Sequence, residues 1–108
     1  MSLETIDGVP VLSASGEIDL SNASLLLEQI AQLPTGATKL VIDLSSVTFL
    51  DSSGLAALVA CAKRLSGSGQ RCVVVCTLQI AKLVDLTGLG AVFEIMPTRE
   101  EAISAISS

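Results

Sequence analysis

The sequence predicts an α/β fold: a mostly parallel, mixed sheet of about five strands, an N-terminal β-hairpin and about four helices. Asp7-Gly8 lies between two apolar-rich runs, which indicates a hairpin because both turn positions need positive φ. After it, short apolar strands alternate with segments of helical periodicity, which is typical of parallel strands joined by helices. The chain has 108 residues, 50% of them hydrophobic but only two aromatic. We therefore expect a single domain, residues 1–108, with an aliphatic core.

The first elements are a hairpin and a short helix. Residues 3–6 and 9–13 form the hairpin strands, with Pro10 tolerated near a strand start because it lacks an N–H group. Ser21 is the expected N-cap of the first helix, and Leu20 and Leu25 are placed as a hydrophobic staple. Pro34 ends this helix, and residues 35–38 form a turn.

The rest of the chain continues the alternation of strands and helices. The expected elements are a strand over 39–45, a helix from Asp51-Ser52-Ser53 to about Leu65, a strand over 71–76, a helix closed by Gly88, a strand over 91–96, and a final helix opened by Thr98 and Glu101 as a capping box. In the final helix, Ala102, Ile103 and Ile106 are expected to face the core.

Charge and hydropathy narrow the possible partners. The formal net charge is −5, which disfavours binding to nucleic acid or to an anionic membrane, because both need a basic surface. The longest apolar stretch, 55–62, has eight residues, far fewer than the roughly 20 that a membrane-spanning helix needs. No charged leader precedes an apolar segment, so we expect a cytoplasmic protein.

The residue content also disfavours most enzymatic chemistry. The chain has no histidine, and imidazole is needed for Ser–His and Cys–His nucleophiles and for most zinc sites. Residues 67–69 resemble a phosphate loop, but they precede a strand and are interpreted as a turn. Glu17, Asp19 and Asp51 could form a metal or acid–base cluster, although solvated turn acids explain them better. We expect no metal, no cofactor and no enzymatic activity.

Three cysteines leave a redox hypothesis open. Cys72 and Cys76 lie four residues apart in a predicted strand, which places their Cα atoms about 13 Å apart, too far for a disulfide. A contact between Cys61 and Cys72 stays open. Burial as small apolar residues is the simpler interpretation. The alternative is a thiol-based redox sensor, for which Arg71 beside Cys72 is the one hint.

The segment Asp51-Ser52-Ser53-Gly54-Leu55 carries the main functional prediction. It follows a buried strand and precedes a helix, so its serines lie at a helix N-terminus. There, unpaired amide groups and the positive end of the macrodipole favour either a capping side chain or a phosphate. From these residues alone, either Asp51 or Ser52 serves as the cap.

Together with three other motifs, this segment resembles the STAS-domain family, specifically the small free-standing anti-sigma-factor antagonists. The motifs occur in the family's order: Gly16-Glu17-Ile18-Asp19, Val41-Ile42-Asp43-Leu44, Phe49-Leu50-Asp51-Ser52-Ser53-Gly54-Leu55, and Leu83-Val84-Asp85-Leu86-Thr87-Gly88-Leu89 with Phe93-Glu94-Ile95. Ala56 departs from the pattern, because many antagonists carry a second glycine there.

The resemblance implies a phosphorylation-controlled exchange of binding partners. In the family, the serine directly after the aspartate receives the phosphate; this is Ser52, with Ser53 as the alternative. The unphosphorylated antagonist binds an anti-sigma factor that is itself a serine kinase and brings the ATP, and a sigma factor is thereby freed for transcription. The expected partner-binding residues are Glu17, Asp19, Asp51, Ser52, Ser53 and Gly54. A second interpretation is a STAS adaptor subunit of another complex, such as a lipid-transport ATPase.

Overall fold

The computed structural model describes residues 1–33, 37–88 and 94–107. Within these residues the strands are β1 (Ser2–Ile6), β2 (Val9–Ile18), β3 (Lys39–Leu50), β4 (Arg71–Val75) and β5 (Glu94–Met96). The helices are α1 (Ser24–Ile30), α2 (Ser52–Gly67), α3 (Leu78–Leu86) and α4 (Arg99–Ser107).

The strands form one sheet in the order β1-β2-β3-β4-β5. The first pair is antiparallel and the others are parallel, which confirms the predicted mixed α/β class. Asp7 and Gly8 both have positive φ, 51° and 78°, as the predicted hairpin turn requires. Pro10 precedes the part of β2 that pairs with β3, which starts at Val11, so its missing N–H falls near the strand start as expected.

Alternating strand residues supply two apolar layers. One face of the sheet is covered by α1, α2 and α3, and its core includes Leu12, Leu40, Ile42 and Val74 from the strands with Leu26, Leu58, Leu65, Ile80 and Val84 from the helices. The other face is covered by α4, and its core consists of Val9, Val11, Val41, Val73, Val75, Ala102, Ile103 and Ile106. The predicted apolar face of the last helix is thus confirmed.

The predicted start of the first helix was wrong. Ser21 does not cap it: α1 begins at Ser24, and Ala23 occupies the N-cap position without a side-chain hydrogen bond. The reason is a turn in which the Asp19 carbonyl oxygen accepts from two later amides, which delays the helix. The staple was wrong as well, because Leu20 is 82% exposed. Pro34, the predicted end of this helix, and residues 35–36 of the predicted turn lie outside the described residues.

The predicted end of the central strand was also too early, since β3 runs to Leu50 and not to residue 45. Its second half pairs with residues 15–18 of β2, across two irregularities at which β3 has one extra residue. These irregularities disturb the period-2 alternation on which the sequence prediction depended. The extension matters because it carries β3 directly into the start of α2.

The second hairpin strand, predicted over 9–13, was also too short, because β2 continues to Ile18 beside β3. The other described boundaries moved by one or two residues. Helix α2 ends at Gly67, β4 ends at Val75, and Gly88 follows α3 with a φ of 74°. Thr98 Oγ1 accepts from the Glu101 amide at 3.2 Å, which confirms the Thr98 cap. The predicted strand residues 91–93 lie outside the described residues.

Arg99, the first residue of α4, ties this helix to three strands. Its Nε donates to Asp43 Oδ2 at 2.7 Å and its Nη2 donates to Ser13 Oγ at 2.7 Å, while Nη1 lies 3.4 Å from Glu4 Oε1. The Asp43 side chain is 7% exposed, so its charge needs these partners. Burial alone would raise the pKa of Asp43, but hydrogen bonds from Ser45 and Arg99 outweigh burial and lower that pKa.

We predict that Arg99→Met lowers the free energy of unfolding at pH 7 by about 1.5 to 3 kcal/mol, because it leaves the buried Asp43 carboxylate without its charged donor. Urea denaturation measures the change. The matched control is Arg71→Met: Arg71 pairs with Glu94 on the surface, where both side chains are about half exposed, and its loss is expected to cost less than about 1 kcal/mol.

The effect of Arg99→Met should depend on pH. Because folding lowers the pKa of Asp43, the stability contributed by this carboxylate is present above its ordinary pKa of about 3.9 and is lost as the pH falls through the lowered value. The difference between wild type and variant is therefore largest at neutral pH and shrinks in acid. A difference that stays constant down to pH ~2 would contradict this role of the ion pair.

Gly54 allows the first turn of α2 to approach the end of β2. A Cβ atom at this position would lie 2.9 Å from the Ile18 carbonyl oxygen, 3.0 Å from Ile18 Cγ2 and 2.6 Å from Leu50 Cδ1. The leucine methyl group can move, but the carbonyl oxygen belongs to a paired strand and cannot move cheaply. The position therefore requires glycine for steric reasons.

We predict that Gly54→Ala lowers the free energy of unfolding by about 1 to 3 kcal/mol, because overpacking outweighs the higher helix propensity of alanine. Gly67→Ala, at the other end of the same helix, is the control, since a Cβ there has no atom within 4 Å. It should be neutral or stabilising by up to about 1 kcal/mol. Equal effects of the two substitutions would contradict the close-approach argument.

Candidate functional site at the start of α2

Asp51, and not Ser52, caps α2. Its Oδ1 accepts from the Gly54 amide at 2.9 Å, and its carbonyl oxygen accepts from the Leu55 amide at 2.9 Å. These are the side-chain and main-chain bonds of an N-cap residue. The choice that the sequence left open is thus decided, and the Ser52 hydroxyl is not needed to hold the helix.

Ser52 is the first helical residue and is exposed, whereas Ser53 is half-buried. Among the residues that the structure describes, the Ser52 hydroxyl has no hydrogen-bond partner. The first amides of a helix have no acceptor within the helix, and they give its N-terminus a partial positive charge. The site therefore offers an accessible hydroxyl in a setting that tolerates a phosphate.

The end of β2 holds this segment in place. The Asp51 amide donates to the Ile18 carbonyl oxygen at 3.1 Å. The register pairs Glu17 with Phe49 and Ile18 with Leu50. The structure therefore brings the predicted residues Glu17 and Asp51 to the same end of two neighbouring parallel strands.

Asp19 begins the turn that follows β2. Its Oδ1 accepts from the Ser21 amide at 3.0 Å and from Ser21 Oγ at 2.5 Å. The hydroxyl hydrogen bond, followed by the amide hydrogen bond, lowers the pKa of Asp19. This acid is thus a structural part of the turn as well as a negative charge at the candidate site.

Asn22 was not singled out from the sequence, although it completes this turn. Its Oδ1 accepts from the Asp19 amide at 2.9 Å, and its Nδ2 donates to the Glu17 carbonyl oxygen at 2.9 Å. The available signal was the Asp-x-x-Asn spacing before a helical stripe, because Asx side chains commonly bond main-chain groups in turns.

An apolar groove of about 260 Å³ lies between the end of β3, which leads into α2, and helix α3. It is lined by Thr48, Phe49, Leu50, Gln79, Ile80 and Leu83. Phe49 is 53% exposed and Leu83 is 37% exposed. From the sequence, Phe49 and Leu83 were known only as members of the third and fourth motifs, and the motifs did not indicate their exposure. Exposed aromatic and aliphatic side chains around a groove are typical of a contact surface for another protein.

The described residues contain no group of three or more His, Cys, Asp or Glu side chains that could hold a metal ion. Glu17, Asp19 and Asp51 therefore do not form the metal cluster that was considered as an alternative. Likewise, the described part of the chain has no helix long and apolar enough to cross a bilayer.

The cysteines do not have the setting of a redox sensor. Cys61, Cys72 and Cys76 are buried and free. Burial raises the pKa of Cys61 to about 11, of Cys72 to about 12 and of Cys76 to about 11, with the nearby Cys61 contributing to the increase at Cys72. Because reactive thiols need access and a lowered pKa, the geometry favours the interpretation as small core residues.

Known proteins resemble this chain in both sequence and fold. The "Anti-sigma-F factor antagonist RsfB" of Mycobacterium tuberculosis is 38% identical over 101 residues, which cover 93% of this chain and 83% of that protein. The crystal structure of an anti-sigma factor antagonist from Mycobacterium paratuberculosis is similar with a TM-score of 0.81 and 35% identity, covering 99% and 92% of the two chains.

A structure with lower sequence identity shows the same architecture. The crystal structure of a "putative anti-sigma factor antagonist (tm1081)" from Thermotoga maritima has a TM-score of 0.85 and 26% identity, covering 99% of this chain and 94% of its own. The family model for the STAS domain matches residues 1–102. With the five-stranded mixed sheet and the serine at the start of α2 in place, this chain belongs to the STAS-domain family.

Proposed function

We propose that this protein is an anti-sigma-factor antagonist that frees a sigma factor by binding its anti-sigma factor, and that phosphorylation of Ser52 switches this binding off. The observation that carries the proposal is the Ser52 hydroxyl, which is exposed at the start of α2 while Asp51 does the capping. The names of the relatives from the two Mycobacterium species support the antagonist role.

The partner surface is the groove between Phe49 and Leu83 together with the acids Glu17, Asp19 and Asp51. The groove supplies exposed apolar area next to Ser52. The acids add negative charge to a chain whose net charge is already −5. A partner with an apolar anchor and basic groups around it complements this surface, since interface cores are apolar and rims are polar.

The switch acts on binding and leaves the fold intact. A phosphate adds about −1.5 to −2 charges. The positive end of the α2 dipole stabilises a negative charge there by roughly 0.3 to 1 kcal/mol. This stabilisation is similar in size to the repulsion between the phosphate and the Asp51 carboxylate. At a buried interface the same phosphate would have to lose its water, and an unpaired charge there costs several kcal/mol. The proposal therefore places the basic groups of the partner opposite Glu17, Asp19 and Asp51, and an acid of the partner opposite Ser52. The phosphate then has no cationic partner at the interface, and the complex dissociates.

The protein itself performs no chemistry in this proposal. The anti-sigma factor is a serine kinase that binds ATP and transfers its terminal phosphoryl group to Ser52 Oγ. The bond between the γ-phosphorus and the β–γ bridging oxygen breaks, and ADP and the hydroxyl proton are released. The chain needs no cofactor for this role. It acts in the cytoplasm, where sigma factors work on RNA polymerase.

We predict that Ser52→Asp lowers the affinity for the cognate anti-sigma factor at least about 100-fold, because a few kcal/mol of desolvation corresponds to two or more factors of ten. Each anti-sigma factor of the source organism is titrated calorimetrically to identify the cognate one and to measure its dissociation constant. The circular dichroism spectrum should stay unchanged, because the Asp51 cap remains.

The control is Ser104→Asp, which adds the same charge at an exposed serine of α4, on the opposite face of the sheet. It should leave affinity within about twofold of wild type, since a distant exposed charge is screened by salt. Incubation with the cognate kinase and ATP, followed by mass spectrometry, maps the phosphosite. Retained binding by Ser52→Asp would contradict the switch, and a phosphate on Ser53 would move it by one residue.

We predict that Leu83→Ala weakens the same complex about tenfold or more, because it removes an exposed apolar side chain that lines the groove. Leu25 of α1 is an equally exposed leucine, 38% against 37% for Leu83, and does not line the groove. Leu25→Ala is therefore the matched control and should bind normally. Equal affinities for the two variants would show that the groove is not the partner surface.

A further inference from the structure

The side chain of Asn22 makes hydrogen bonds to the main chain on both sides of Ile18, and the Ile18 carbonyl oxygen in turn accepts from the Asp51 amide. We infer that Asn22 is a positioning residue for Ser52, acting through the main chain of Ile18. The inference rests on the proposed function, because it assigns Asn22 a part in presenting Ser52 to the kinase.

The side-chain amide of Asn22 bonds to main-chain groups on both sides of Ile18. Asn22 Oδ1 accepts from the Asp19 amide at 2.9 Å, and Nδ2 donates to the Glu17 carbonyl oxygen at 2.9 Å. Because one main-chain group is a donor and the other an acceptor, only one orientation of the amide makes both bonds. The two bonded residues flank Ile18 directly, so the side chain fixes the main chain on both sides of it.

Two hydrogen bonds connect the main chain of Ile18 at the end of β2 to the first turn of α2. The Ile18 carbonyl oxygen accepts from the Asp51 amide at 3.1 Å, and the Asp51 carboxylate accepts from the Gly54 amide at 2.9 Å. Ser52 lies between these two bonded residues. A change in the direction of the Ile18 carbonyl group therefore changes the position of Asp51 and with it the position of the Ser52 hydroxyl.

The contact at Gly54 makes this transfer sensitive. The space where a Cβ of Gly54 would lie is only 2.9 Å from the Ile18 carbonyl oxygen and 3.0 Å from Ile18 Cγ2. The first turn of α2 thus packs against the same residue that Asn22 holds. Small shifts of Ile18 are passed on to α2, because close-packed groups have little free volume.

The residue type at position 22 is decided by the two partners. Alanine makes neither bond. Aspartate still accepts from the Asp19 amide, so it keeps the turn. It presents an oxygen instead of an N–H group to the Glu17 carbonyl oxygen, so the hydrogen bond to Glu17 is lost. Ser21→Ala is the matched control, because the Ser21 hydroxyl bonds only to the Asp19 carboxylate in the same turn and does not hold Ile18.

The first experiment needs no partner. Amide hydrogen exchange is followed by NMR in wild type, Asn22→Ala, Asn22→Asp and Ser21→Ala. We expect exchange at Asp51 and Gly54 to be about tenfold faster in both Asn22 variants, with unchanged exchange at Val73 in the sheet centre. Ser21→Ala should match wild type at all three amides. Wild-type exchange at Asp51 in both Asn22 variants would overturn the inference.

The second experiment measures phosphorylation by the cognate anti-sigma kinase with ATP. A misplaced hydroxyl lowers kcat about tenfold, within the range known for small misplacements of reacting groups, while the docking groove is intact and KM stays within twofold of wild type. A raised KM with unchanged kcat would overturn the inference, because Asn22 would then contribute to docking. If wild type itself is not phosphorylated, the proposed function fails, while the exchange result still decides whether Asn22 holds the Asp51 segment.

Discussion

The close approach of α2 to the end of β2 is the constraint on which the candidate site depends. It exists because position 54 has no side chain and because the Ile18 carbonyl oxygen receives the Asp51 amide at 3.1 Å. These two contacts fix where the helix starts and how it is oriented relative to the sheet. Ser52 lies between the two bonded residues Asp51 and Gly54, and its own side chain is exposed.

The ion pair that stabilises α4 and the proposed partner-binding site lie in different parts of the molecule. On one face, α4 is held by apolar contacts and by the Arg99–Asp43 ion pair, far from Ser52 in the topology. At the carboxyl ends of the parallel strands, the acids, the groove and Ser52 lie together. A charge added at Ser52 disturbs no core contact, since capping belongs to Asp51. This arrangement supports the proposal that the protein exchanges partners without refolding.

Features with a short-range physical cause could be predicted from the sequence. The Asp7-Gly8 turn, the strand and helix alternation, the Thr98 cap and the buried face of the last helix all follow from local geometry or periodicity, and the structure confirms them. The predicted boundaries were wrong where strand pairing or side-chain hydrogen bonds in a turn determine where an element begins or ends. Strand β3 continues to Leu50 because β2 lies beside it, and α1 starts late because the Asp19 turn uses Ser21 and Asn22 as turn residues.

The sequence by itself determined the fold class, the mixed sheet and the position of two serines at a helix start, because apolar periodicity and turn residues act over a few neighbours. Only the tertiary structure decided that Asp51 is the cap, that Asn22 holds the neighbouring strand end, that Phe49 and Leu83 share a groove, and that Asp43 needs Arg99. The Asp43 and Arg99 partners are 56 residues apart in the chain. Such contacts depend on strand order and register, which no local pattern encodes.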